Sequence, residues 1–483
     1  MAADVDVIIV GAGPVGLWLA SELRLAGVGV TILEERSDRT ERARALIIHP
    51  RTLEILASRG QADQVLEEGI AIPSGHFAML DERLDFSKLD TPFPFTIALL
   101  QVRTEEIIEA HVLDAGAEIR RGVRVTEVTD LGESVRVQLD DGTAVSASWV
   151  VGCDGVYSTV RQAAGIEFPG SPRTCLGWLG DVEIADTPPG VISRWTMDGL
   201  LLAVPIPGSK LYRFAGISPD DVRTDWPAEE FTLNELSRKV TAITGTDYGM
   251  HSPVRLSRYG NKARQAASYR KGRIILAGDA AHQHMPAGGG GLNAGIQDAM
   301  NLGWKLAATV HGTAPDWLLD TYHDERHPVG QDLLRETQAQ TELMAAFTLD
   351  GRQMRALIGE LIGRHPEVSR DLAERLSGLS VRYAGPEGAN PVVGTRAPNF
   401  ALLDGRTLLD VLCDGEYVVL DLRGGDSIEV ASVKVAEVEW REWADVEAAL
   451  VRPDGYVAWA GAHAGLSEAL AHWNVPHPVR SPR

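Results

Sequence analysis

A glycine-rich turn between an apolar strand and a helix can cradle phosphate, and residues 5–35, VDVIIVGAGPVGLWLASELRLAGVGVTILEE, contain one. The run Val5 to Val10 reads as a buried strand, and Gly11-Ala12-Gly13-Pro14-Val15-Gly16 follows it directly with a helical pattern behind. Gly11 allows the tight turn, Gly13 lets the backbone approach a pyrophosphate, and Gly16 lets helix and strand pack closely. The helix start offers unpaired N–H groups to the phosphates, and Glu34 ends the next strand where a ribose hydroxyl needs an acceptor. The pattern predicts dinucleotide binding, and NAD and FAD fit it equally.

Two later segments carry the same strand-then-acid logic. VVGCDGVYSTVR, 150–161, is a strand ending in Asp154-Gly155 and a polar turn. RIILAGDAAHQHMPAGGGGLNAGIQDAMNLGWKLA, 273–307, is a strand ending in Gly278-Asp279, a glycine-rich loop and a long helix from Leu292 to Val310. An aspartate can also serve as a helix N-cap. His282 and His284 stand two apart on a loop without carboxylate or cysteine partners in sequence, so they read as packing or loop-fixing residues and no metal is expected. Arg51, in HPRT, has two uses open to it: ion pairs at a helix start, or contact with cofactor or substrate.

The elements that must hold these turns follow from the rest of the chain. At 483 residues there is material for two or three domains. Pro50 marks the first turn of a helix. Residues 76–96 lose helical period and look like an inserted hairpin, a helix runs over about 103–114, and Asp141-Gly142 turns another hairpin. Residues 173–264 are strand-rich, 330–380 are amphipathic helices, and short strands follow the stretch AGPEGANPVVGTRAPNF, 384–400.

The net charge of −21, from 46 basic and 67 acidic residues, repels nucleic acid and anionic membranes. The N-terminal apolar stretch follows Asp4 and Asp6 and is cut by the glycine turn, so no signal peptide is expected. No run approaches the roughly 18 apolar residues of a membrane span. Cys153, Cys175 and Cys413 are scattered without CxxC, which suits a reduced, cytoplasmic setting.

The DG and GD segments resemble the two later motifs of class A flavoprotein monooxygenases, which share the fold of para-hydroxybenzoate hydroxylase. DAAHQHMPAGGGGLNAGIQDAMNLGWKL, LLDTYHDERHPV and LVRPDGYVAWAG resemble the actinobacterial branch that hydroxylates aromatic polyketides and rifamycins. The resemblance spans essentially the whole chain. It implies resident FAD, with NADPH or NADH as a transient co-substrate, since no second GxGxxG is present.

The implied fold is α/β: a Rossmann-like FAD domain (1–75, 97–172, 265–345) with an inserted β-sheet substrate domain (76–96, 173–264). A helical linker (346–388) and a thioredoxin-like C-terminal domain without CxxC (389–483) complete it. The implied cofactor residues are Gly11, Gly13, Pro14, Val15, Gly16, Glu34, Glu35, Arg44, Gln101, Val125, Asp154, Thr159, Asp279, Pro286, Gly291, Leu292 and Asn293. Arg51 and Pro286 are candidates near the flavin, with no acid or base assigned. Ala45 and Gly290 depart from the common Gly and Gln of relatives.

The resemblance implies hydroxylation of a polycyclic aromatic polyketide or ansamycin through a flavin hydroperoxide formed with O2. Baeyer–Villiger insertion, or sequestration of an intermediate without turnover, are the alternatives; a halogenase lacks its WxWxIP here. The aromatic-rich sheet makes Trp178, Trp195, Met197, Tyr212 and Phe214 candidate substrate contacts. The C-terminal module reads as a packing or assembly unit, and the protein as a monomer or homodimer.

Overall fold

Residues 7–10 of the strand Val5–Val10 are buried on both faces because parallel strands take helices on each side, which is why those four are all apolar. The computed structural model describes residues 3–39, 46–188, 190–206, 209–222, 225–423 and 432–475. In it Val5–Val10 is flanked in parallel by Val30–Glu34 and Ala144–Gly152; Glu118–Arg121 lies outside the first and Ile274–Leu276 outside the second. The register aligns Val10 with Leu33 and with Gly152, and Gly152 with Leu276. The three turns singled out in the sequence therefore leave the same edge of one sheet, where open α/β sheets bind their ligands.

Two helices cover this sheet and meet at small residues. Pro14–Leu25 crosses Gly290–Val310, and a Cβ on Gly303 would lie 2.5 Å from the Glu22 Cβ. Asp141-Gly142 turns the hairpin from Val135–Leu139 into Ala144–Gly152. The helix expected from 103 begins at Gln101 and ends at Asp114, and the one expected from Leu292 begins at Gly290.

A second, antiparallel sheet runs in the order Ile192–Thr196, Gly199–Pro205, Leu211–Ile217, Leu176–Glu183, His251–Gly260. One face is closed by the helix Leu233–Thr244 around Trp178, Leu201, Phe214 and Leu236. The other face, with Leu200, Leu202, Ile217 and Tyr259, packs towards Met285, Ala287 and Met344. Strands Ser74–His76 and Arg83–Asp85 form the inserted hairpin, whose Leu84 and Phe86 pack on Ile362 and Ala373 of two later helices.

The C-terminal module has its own cores around a sheet of four strands: Val433–Lys434, Val418–Asp421, Ala448–Val451 and Val457–Gly461. Its Cys413 is exposed and not disulfide-bonded. Among the described residues, no helix is long and apolar enough to cross a membrane, and no group of three or more His, Cys, Asp or Glu could hold a metal ion.

Candidate active site

The glycine turn is as tight as its sequence requires. Gly11 has φ +106°, and a Cβ there would lie 2.5 Å from the Cys153 carbonyl oxygen. A Cβ on Gly16 would lie 2.1 Å from the Gly11 carbonyl oxygen. At Gly13 a Cβ would meet nothing within 4 Å, so that side of the turn is open to a ligand. The helix Pro14–Leu25 starts at Gly13 with no side-chain cap, leaving its first N–H groups for an anion.

Glu34 closes this cradle from the next strand. Its Oε2 accepts the Ala12 N–H at 2.8 Å and its Oε1 the Arg36 N–H at 3.0 Å. Glu35 is exposed beside it. Gln101 opens its helix and donates to Glu105 Oε1 at 2.7 Å. Arg44 and Ala45 lie outside the described residues.

From the neighbouring strand, Asp154 accepts the Val160 N–H at 3.0 Å through Oδ2, while its buried Oδ1 has no hydrogen-bond partner. Burial holds this carboxyl above the usual aspartate range. Thr159 is half-buried at the start of the short helix that follows. Asp279 sits in the turn Gly278–Ala280 with its side chain exposed, and its Oδ1 lies 3.8 Å from where a Gly291 Cβ would be.

An orphaned acceptor at Asp154, an open Gly13 and an exposed carboxylate at Asp279, all on one sheet edge, are what a phosphate-linked ribose cofactor needs. Val125 and Val15 play different parts from the rest. The Val125 side chain belongs to the core. Val15 is wedged between two glycines, 2.9 Å from a Gly278 Cβ and 2.4 Å from a Gly295 Cβ.

The loop before the long helix is built on Gly288 and Gly289, with φ of +69° and +75°. No side chain caps the helix at Gly289, so its first N–H groups are left without a side-chain acceptor, and Pro286 beside them is exposed. Asn293 points its side chain the other way: Oδ1 accepts the His49 N–H at 2.8 Å, and Nδ2 donates to Ile47 O and Gly289 O at 3.0 Å each. The His49 ring is 2.8 Å from the Gly288 carbonyl through Nε2. These bonds staple segment 47–49 to the loop, a link that spacing in sequence does not reveal.

Beneath the Asp279 turn lies a buried charged group. Asp298 Oδ2 accepts the Gly278 N–H at 3.1 Å and pairs with His282 Nε2 at 2.7 Å; its Oδ1 takes Arg326 Nε at 2.7 Å. His282 thus fixes the loop.

Burial pushes the His49 imidazole down to about 4, against the raising effect of its bond to Gly288; burial also pushes His76 to about 4. The unfolded histidine binds its proton near pH 6.5, so the unfolded state takes up more protons between pH 6.5 and 4. Stability from His49 is complete above pH 6.5 and declines as pH falls towards 4, by about 3 kcal/mol in all. Urea unfolding as a function of pH should show this acid limb, and His49→Gln should flatten it; an unchanged limb would remove His49 as its source.

The substrate candidates divide by strand alternation. Trp178 is buried, donates Nε1–H to Ser218 Oγ at 3.1 Å, and with Tyr212 and Phe214 packs against the helix Leu233–Thr244. These three face away from the loop and are corrected to core. Met197 lies in the turn between two strands. Only Trp195 of the five joins the opposite face, stacked on Phe347 at 5.8 Å with Arg355 4.5 Å above its ring.

The residues the sequence reading missed are Phe77, Leu202, Tyr259 and Met285, which share that face. Ala78 and Met79 make a left-handed tip of the inserted hairpin, φ 50° and 53°. Arg355 holds their carbonyls at 3.0 and 2.8 Å. Period-two reading from Leu200 and Leu202 could have found Tyr259's face; nothing local could have found the hairpin tip.

Arg51 is also corrected. It is buried, with Nη1 on Glu54 at 2.7 Å and Nη2 on the Asp454 carbonyl of the C-terminal module at 2.7 Å, and it serves as an interdomain tie.

The profile of an FAD binding domain matches residues 4–337, and that of the C-terminal domain of aromatic-ring hydroxylases matches 390–475. An uncharacterized aromatic compound monooxygenase, YhjG, of Bacillus subtilis is 45% identical over 95% of this chain and 95% of its own. Rifampicin monooxygenase of Streptomyces venezuelae is 43% identical over 94% of this chain and 95% of its own. The solved structure of the anhydrotetracycline hydroxylase OxyS from Streptomyces rimosus superposes with a TM-score of 0.88 at 38% identity, covering 98% of this chain and 99% of that one.

Proposed function

We infer that this chain, which belongs to the class A FAD-dependent aromatic-ring monooxygenases, uses NADPH or NADH and dioxygen to hydroxylate a flat polycyclic aromatic of the polyketide or ansamycin kind. Bound FAD supplies electron transfer from the nicotinamide and the activation of dioxygen. The turn Gly11–Gly16 would take the pyrophosphate, Glu34 the adenosine ribose, and Asp154 and Asp279 the polar chain between them. Uncapped N–H groups at Gly291 and Leu292 favour negative charge at the ring end by up to about 2 kcal/mol.

One observation carries the substrate class. The face made by Trp195, Leu202, Tyr259 and Met285 is apolar, only partly covered at its aromatic rings, and adjoins the glycine loop. Such a wall takes a flat ring system and keeps water from the reacting centre. A single dinucleotide fingerprint supports a nicotinamide that visits and leaves, so the purified protein should carry FAD and no NADP. The supply of reduced nicotinamide and the three cysteines without disulfides support a cytoplasmic setting.

Two tryptophan variants separate wall from core. Trp195→Ala should raise KM for an accepted aromatic about tenfold, a loss of ~1.4 kcal/mol, and cost less in unfolding than the fully buried Trp178 does. Trp178→Ala should cost about 3–5 kcal/mol in urea unfolding and leave KM near wild type at low temperature. Steady-state kinetics beside unfolding curves reads both, and the reverse pattern contradicts the assignment of faces.

A further inference from the structure

Among the contacts of the C-terminal module with the flavin-binding domain is the turn Arg452-Pro453-Asp454-Gly455-Tyr456, whose two ionic members are almost wholly buried. We propose that this turn is a positioning element for the flavin, because it is joined at once to both walls of the cofactor site. This rests on the reading that the turns at 11–16, 278–279 and 288–293 hold FAD.

The first connection runs through Arg51. Its guanidinium donates to the Asp454 carbonyl at 2.7 Å and lies 5.2 Å over the Tyr456 ring. Arg51 belongs to the first turn of the helix Pro50–Ala57, and His49, immediately before that helix, is stapled to Gly288 and Asn293. A displacement of Arg51 therefore moves the segment that fixes the glycine loop.

The second connection runs through Tyr383. Its ring packs on Tyr456 at 4.3 Å between centroids, and its hydroxyl accepts from Arg326 Nη1 at 3.3 Å. Arg326 holds Asp298, and Asp298 holds the Gly278 N–H just before Asp279. The same aromatic ring, Tyr456, thus stands behind both the loop at the ring end and the turn at the ribityl end.

The turn is held against this frame by charge. Arg452 binds Glu325 with two bonds, 2.6 and 2.9 Å, and Glu325 also takes Lys305 at 2.7 Å and Asn301 at 2.6 Å from the long helix. Lys305 is wholly buried, and its burial pushes it down to about 8 despite Glu325. A further ionic tie from the module, Arg396 to Glu54 at 3.1 Å, ends on the helix that carries Arg51.

The test uses the full chain, stripped of flavin and titrated with FAD. Tyr383→Phe removes one oxygen, Tyr456→Leu removes the shared ring, and Cys413→Ser is an exposed control in the same module. The measurements are the FAD dissociation constant, the midpoint potential of the bound flavin, and the urea midpoint. We expect Tyr456→Leu to bind oxidised FAD about tenfold more weakly, and the reduced form about a further tenfold more weakly. That lowers the potential by about 30 mV. Tyr383→Phe should shift both in the same direction by less, and Cys413→Ser neither.

A module that only packs would lower the urea midpoint and leave affinity and potential at wild-type values, which overturns the proposal. Should Tyr456→Leu not fold, Tyr383→Phe decides: wild-type affinity and potential in that variant also overturn it. A wild-type chain that takes up no FAD overturns the reading of the site itself, which is a different result from flavin-replete variants indistinguishable from wild type.

Discussion

Glu34→Lys purifies with less than about a tenth of the wild-type flavin, the consequence of losing more than ~1.4 kcal/mol of binding. The carboxylate has two tasks. It offers an acceptor to a ribose at the sheet edge, and it pins the turn itself by accepting Ala12 N–H and Arg36 N–H at 2.8 and 3.0 Å. Hydrogen bonds to a charged group contribute about 1.5–3 kcal/mol each. A lysine supplies no acceptor, so both N–H groups lose their partner. Glu34→Gln keeps one acceptor oxygen and should retain an intermediate flavin content. Absorbance of the gel-filtered proteins measures this, and a fully yellow Glu34→Lys protein contradicts it.

Arg59→Met produces the largest loss of stability. The side chains of Arg59 and Glu22 are each 2% exposed and meet in two bonds of 2.9 Å, while Arg59 also donates to Leu412 O at 2.7 Å and Pro453 O at 2.9 Å. Removing the cation strands a carboxylate between the helices Pro14–Leu25 and Gly290–Val310, at a cost of about 3–5 kcal/mol. The same change unties two carbonyls of the C-terminal module. In the double variant Glu22→Met with Arg59→Met no buried charge is stranded, so it should recover part of the loss although it carries one more substitution. Urea unfolding of the two singles and the double measures the coupling. A single variant within about 1 kcal/mol of wild type contradicts the assignment of this pair as a structural tie.

The three turns on the sheet edge were legible because each is a local matter. Gly11, Gly16 and Glu34 are specified by a turn, a close approach and a strand end, which are all contained within 30 residues. That Asp154 and Asp279 join them follows from parallel register, which buried apolar strands announce but do not align. The sheet of the second domain was visible as strands, yet its faces were not. Trp178 and Phe214 fill the core under the helix Leu233–Thr244, and Trp195 does not, because which face of the sheet a helix covers is decided only in three dimensions. Arg51 shows the same limit: its partners Glu54 and Asp454 stand three and 403 residues away, and only the nearer one was open to inference. The tie between Asn293 and His49, 244 residues apart, was hidden for that reason too.

Oxygenation of the bound ligand is the reaction to test. The measurement is mass spectrometry of products formed from an aromatic polyketide or ansamycin that the protein binds, with NADPH and isotopically labelled dioxygen. The expected product keeps its carbon rings intact and carries one labelled oxygen atom, the second leaving as water. A ring-expanded labelled lactone would instead assign oxygen insertion to the same site. Unlabelled ligand, bound but unchanged while all the oxygen appears as hydrogen peroxide, would contradict the monooxygenase account.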